Sequence, residues 1–145
     1  MENTLSQNNI NLPQSENPLR VLLIEDTEER QKILTSLYRV HAWILVNTGE
    51  RAVKLLNSYD FDIVSLDYNL GGKLNGADVA KILKCSRNKN VRVIVHSLNP
   101  RGAKAISLIL PDAIIYPVAR MVRSNRLFKY LRNQINELGY TYDWT

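Results

Sequence analysis

Three short polar clusters, each standing where an apolar run stops, constrain this chain more than any other feature. Glu25 and Asp26 follow Val21-Leu22-Leu23-Ile24, and Asp67 follows Ile63-Val64-Ser65-Leu66. The third cluster, His96-Ser97-Leu98-Asn99-Pro100-Arg101-Gly102, follows Val91-Arg92-Val93-Ile94-Val95. Runs that are apolar on both faces belong to parallel strands buried beneath helices. In an open parallel sheet the ligand crevice lies at the carboxyl ends of the strands, so the three clusters should converge there. Three carboxylates and a hydroxyl in one crevice point to a divalent cation and a phosphate.

The rest of the chain supplies the helices that such a sheet needs. A first strand at 20–24 leads to a helix whose apolar positions Ile33, Leu34, Leu37 and Val40 repeat at helical spacing, with Asp26 and Glu29 spaced as a capping box. A second strand over Ala42–Val46 precedes a helix carrying Ala52, Val53, Leu55 and Leu56. After the third strand, Gly71, Gly72 and Gly76 mark a loop before a helix over 77–87. A strand at Val91–Val95, a helix over about 101–110, a strand at Ala113–Tyr116 and a final helix complete the alternation. Five strands alternating with five helices predict an α/β fold, a five-stranded doubly wound parallel sheet of order 2-1-3-4-5.

Length and charge bound the remaining choices. The chain has 145 residues. We expect one domain over residues 19–138, preceded by a disordered arm over 1–18 rich in Asn, Gln and Ser, and followed by an aromatic tail over 139–145. The single cysteine, Cys85, excludes an internal disulfide and is expected half-buried on a helix. No apolar stretch approaches a membrane span, and the start of the chain lacks a signal-peptide pattern, so a cytoplasmic protein is expected. The formal charge of +5 divides unevenly: residues 1–72 hold six Lys/Arg and ten Asp/Glu, residues 73–145 thirteen and four. Part of the basic excess falls on the last helix, where Arg126, Lys129 and Arg132 lie opposite the apolar stripe Leu127, Leu131, Ile135 and Leu138. That face and the tail residues Tyr140, Tyr142 and Trp144 are the candidate surface for a protein partner. Neither interleaved aromatics nor a reading motif favours nucleic acid. Gly71 and Gly76 lack the Lys and Ser/Thr that complete a P-loop.

An acid pair after strand one, Asp after strand three, a hydroxyl after strand four and X-Pro after strand five together resemble the receiver domain of two-component response regulators. The resemblance implies that Glu25, Asp26, Asp67 and the backbone carbonyl of Asn69 hold Mg²⁺. It also implies that Asp67 accepts a phosphoryl group, that Ser97 bonds the phosphoryl oxygens, and that Gly76 is the loop glycine. A receiver lysine is replaced here by Tyr116, which keeps a hydroxyl without the charge. His96, Arg101 and Lys104 are the candidate replacements for that charge, and the Tyr116-Pro117 bond is expected to be cis.

The segments around Asp67 and His96 look more like the divergent cyclic-phosphate-processing receivers. That likeness implies a phosphate-bearing ligand, with a cyclic nucleotide as one form, contacted by His96, Ser97, Asn99, Arg101 and Tyr116, and catalytic parts for Asp67, Ser97 and His96. The alternatives are a stand-alone response regulator charged on Asp67 by a phosphodonor protein, and a pseudo-receiver that only binds a protein. Each residue also has a structural reading: Asp26 and Asn99 as helix caps, Pro100 as a first-turn residue, and His96 as a buried ring bonded to the backbone.

Overall fold

The computed structural model describes residues 18–118, 126, 129, 130 and 132–136. Its strands are β1 (Arg20–Ile24), β2 (Ala42–Val46), β3 (Ile63–Leu66), β4 (Arg92–Val95) and β5 (Ile114–Ile115). They alternate with α1 (Glu28–Leu37), α2 (Gly49–Ser58), α3 (Gly76–Lys84) and α4 (Pro100–Ile109). All strands are parallel and lie in the order β2-β1-β3-β4-β5, as the sequence predicts.

Alternation along each strand sends side chains to opposite faces and creates two cores. Leu22, Ile24, Val64, Leu66, Val93 and Val95 pack with α2, α3 and α4 through Ala52, Leu56, Val79, Ala80, Leu83 and Ile106. Val21, Leu23, Ile63 and Ile94 face α1 through Leu34 and Leu37, and meet Ile135 from the helical residues 132–136. Burying a side chain of this size is worth about 1.5–3 kcal/mol, so the two layers carry the fold. The edge strands are less covered, with Trp43, Ile44, Ile114 and Ile115 exposed.

Helix starts follow local chemistry. Thr48 accepts from the Arg51 amide, Asn75 and Asp78 close a reciprocal capping box, and Asn99 accepts from the Gly102 amide at 3.0 Å with Pro100 in the first turn. The expected Asp26–Glu29 box does not form: Thr27 is the cap residue of α1 and makes no side-chain cap. The reason is Glu25, whose carboxylate takes the Thr27 amide at 2.9 Å while its carbonyl accepts from Gln31 Nε2 at 2.7 Å.

Helix α3 ends at Lys84 rather than 87, because Ser86 Oγ bonds the Leu83 carbonyl and the chain turns. Cys85 is its C-cap and is exposed, not half-buried. Strand β4 begins at Arg92 rather than 91 and β5 is two residues long rather than four. No helix among the described residues is long and apolar enough to cross a membrane. The expected arm over residues 1–17, the stripe positions Leu127, Leu131 and Leu138, and the aromatic tail lie outside the described residues.

Candidate functional site

Strand register assembles the site. Ile24 pairs with Leu66 and Leu66 with Val95, so the residues that follow them, Glu25, Asp67 and His96, stand side by side at the carboxyl edge. The Asp67 amide donates to the Ile24 carbonyl and the His96 amide to the Leu66 carbonyl, each at 3.1 Å, which extends the ladder one residue beyond the strands. By alternation all three side chains point to the α1 side of the sheet. They are buried to within 1% exposure, and one ligand atom from each lies within 4.8 Å of the others.

A fourth residue, absent from the sequence reading, joins them. Arg30, one turn into α1, grips Glu25 through Nε to Oε1 at 2.8 Å and Nη2 to Oε2 at 3.2 Å. The same Nη2 lies 3.4 Å from Asp67 Oδ2 and 4.0 Å from Asp26 Oδ1. Its spacing of four residues from Asp26 is the signal that could have found it. One guanidinium thus stands among all three carboxylates.

His96 sits beneath this group. Its Nε2 faces Glu25 Oε1 at 3.1 Å, and since an ionised carboxylate only accepts, Nε2 carries the proton. Its Nδ1 meets Ser65 Oγ at 2.7 Å. Ser65 is the polar residue in the otherwise apolar β3, and the sequence reading gave it no part. Burial pushes the Glu25 carboxyl up, but hydrogen bonds from His96, Arg30 and the Thr27 amide outweigh it and hold the group at about 2. Asp67 moves the other way: burial and the nearby Glu25 charge raise it, against the lowering pull of His96, Ser97 and Arg30.

Ser97 is buried and hydrogen-bonded to the Asp67 carboxylate, while its Oγ accepts from the Asn99 amide at 3.1 Å. Asn99 turns its side-chain oxygen to the cap of α4. Arg101 and Lys104 are exposed on α4, and Asn69 is exposed in the loop after β3. Gly76 lets α3 approach: a Cβ there would stand 2.2 Å from the Asp67 carbonyl oxygen.

Tyr116 follows Ile115, the partner of Val95, and so lies next to His96 in the row, with its ring packed against the α1-side core. No peptide bond among the described residues is cis, so the expected cis bond before Pro117 is corrected to trans, the isomer that X-Pro favours intrinsically.

The donor set suits a hard divalent cation: carboxylate oxygens of Glu25 and Asp67 turned to one point, with Asp26 at the rim, only a third exposed. Comparison with solved structures gives the same architecture. The phosphorylated cyanobacterial phytochrome response regulator RcpA is 20% identical, with 87% of this chain and 96% of that one covered at a TM-score of 0.66. The receiver domain of sensor histidine kinase PA1611 from Pseudomonas aeruginosa, with a magnesium ion in its active-site cleft, is 19% identical over 80% and 98%, TM-score 0.60. The response regulator TrrA from Thermotoga maritima, in complex with Mg²⁺-BeF, is 19% identical over 78% and 98%, TM-score 0.59.

Comparison with curated protein sequences gives no match. Residues 20–111 match the family described as the Cyclic-phosphate processing Receiver domain. With well over half of the chain matched and the receiver sheet order in place, this protein belongs to the cyclic-phosphate processing receiver family.

Proposed function

We propose that the carboxyl edge of the sheet binds a divalent cation, Mg²⁺ in the first instance, and with it a phosphate-bearing small molecule such as a cyclic nucleotide. Glu25, Asp26, Asp67 and the Asn69 carbonyl would hold the ion. Bound there, the cation would polarise a phosphate oxygen and offset its charge. The observation that carries the reading is the buried cluster of Glu25, Asp67 and His96 with ligand atoms within 4.8 Å. Buried acid is costly unless cations answer it, and Arg30 supplies one positive charge for three carboxylates.

The chain's own residues supply the rest. The Ser97 hydroxyl, now on the Asp67 carboxylate, is the donor nearest to an incoming phosphate oxygen. His96 keeps a proton on Nε2 and orients Glu25 through it. Arg101, exposed in the first turn of α4, adds positive charge at the rim. Asn99 serves through the α4 cap that positions Ser97 and Arg101. Tyr116 provides no cation beside Asp67, which favours ligand binding over ordinary phosphoacceptor chemistry.

Calorimetry against 2′,3′-cyclic and 3′,5′-cyclic nucleotides, with and without Mg²⁺, tests this reading. We expect Mg²⁺-dependent binding that is lost in Asp67→Asn and weakened in Ser97→Ala and Arg101→Ala. Efficient formation of a hydroxylamine-labile adduct on Asp67 from acetyl phosphate, with no nucleotide binding, would instead make this a stand-alone response regulator.

A further inference from the structure

We infer that Arg30 is an internal counter-ion that fills the cation position of the metal-free protein, so that a divalent cation binds only by expelling its guanidinium. The inference rests on the cation reading above and concerns this chain's own residue. Arg30 Nη2 is 3.2 Å from Glu25 Oε2, 3.4 Å from Asp67 Oδ2 and 4.0 Å from Asp26 Oδ1. These belong to the three side-chain carboxylates assigned to the ion. A cation held on these carboxylates would stand close against the Arg30 guanidinium, and at that range the two like charges repel.

The local architecture suits an arm that leaves. Glu25 and Asp67 are fixed by the sheet edge and by His96, Ser97 and the Thr27 and Tyr68 amides. Arg30, by contrast, reaches in from the first turns of α1 and keeps 22% of its side chain exposed. Its backbone need not move for the side chain to swing out, because α1 is held independently by Gln31 on the Glu25 carbonyl and by Leu34 and Leu37 in the core. A long, flexible and partly exposed side chain is the part that yields. The arrangement would offset part of the acid charge before metal arrives, and it sets a threshold that the cation must overcome.

The test is metal affinity rather than activity. Calorimetric titration of the full chain with Mg²⁺ and Mn²⁺ compares wild type with Arg30→Gln and Arg30→Lys. We expect Arg30→Gln to bind either ion about 5- to 150-fold more tightly, the span of ordinary coupling between two competing ligands. Arg30→Lys, too short to touch three carboxylates, should fall between.

A second measurement on wild type alone covers the case in which the variants fold poorly. The NMR signal of the Arg30 Nε–H, held on Glu25 in the metal-free protein, should lose its protection from solvent exchange as Mg²⁺ is added. Unchanged or weaker affinity in a folded Arg30→Gln, or a protected Arg30 Nε–H in the metal-saturated protein, would overturn the inference while leaving the cation site standing. Absence of binding in wild type and both variants would remove the cation reading itself, and this inference with it.

Discussion

The two ends of the same sheet handle charge in opposite ways. At the amino end an open cavity of about 830 Å³ is lined by Arg20, Asp60, Asp62, Arg87, Asn88 and Arg92 among others. Its ion pairs are partly exposed and include Arg20 with Asp62 at 3.0 Å and Arg87 with Asp60 at 2.8 Å. The carboxyl end instead buries Glu25 and Asp67 and sets three carboxylates against one guanidinium. The carboxyl end thus holds a surplus of acid out of water, where the amino end leaves its charges partly exposed.

Breaking the amino end should cost stability and nothing else. Asn88 is its staple: Oδ1 accepts from the Phe61 amide at 2.8 Å, and Nδ2 donates to the Leu56 and Tyr59 carbonyls at 2.7 Å. Asn88→Ala orphans three backbone groups and should lose about 3 kcal/mol in urea unfolding. The response to Mg²⁺ should stay as in wild type; its loss would deny the separation of the two ends.

At the carboxyl end, Gly76→Ala drives a Cβ against the Asp67 backbone. We expect a loss of about 2 kcal/mol, the scale of overpacking, together with a weakened thermal response to Mg²⁺. A stability loss with the metal response intact would mean that the α3 approach does not set Asp67.

Asp67→Asn should act in the opposite direction on the metal-free protein. Burial and Glu25 raise the Asp67 carboxyl, so the folded chain holds its proton more tightly than the unfolded one. Its contribution is full below the unfolded value of 3.8 and is lost as pH rises through the folded one. Removing the charge should therefore raise the Tm of the metal-free protein at neutral pH and abolish stabilisation by Mg²⁺.

Glu25 has the reverse sign. Held at about 2, it contributes stability above its unfolded value of 4.5 that drains as pH falls toward 2, and Glu25→Gln should flatten that limb of the acid unfolding curve. The smallest effect belongs to the exposed amino-end pair, where Asp60→Asn should leave Tm within measurement error. A clear drop there would erase the contrast between paired surface charge and buried surplus.

The sequence made the sheet and the row of acids legible for one reason: each strand is an apolar run that ends on a polar residue. Strands β1, β2 and β3 fall on the expected bounds, and Glu25, Asp67 and His96 end up adjacent because each is the first residue past its strand. Strand β5 is shorter than its apolar run, since Ala113 closes a turn onto Leu110.

The Asp26 cap fails because α1 begins one residue later than expected, with Thr27 at the cap position and its amide on the Glu25 carboxylate. Arg30 was not legible from the apolar stripe of α1, because it lies on the face that carries the i,i+4 contact with Asp26. Tyr116 stands in the row where the resemblance places it, but with a trans bond its ring joins the core.

Crystals grown without metal and then soaked with Mn²⁺ and beryllium fluoride would test the central claim most directly, through anomalous scattering at the carboxyl edge. The account predicts a single Mn²⁺ peak in contact with Glu25 and Asp67, with the Arg30 guanidinium turned away from Asp67. A map with no Mn²⁺ at that edge, and Arg30 still bridging Glu25 and Asp67 while the ion binds elsewhere, would contradict it.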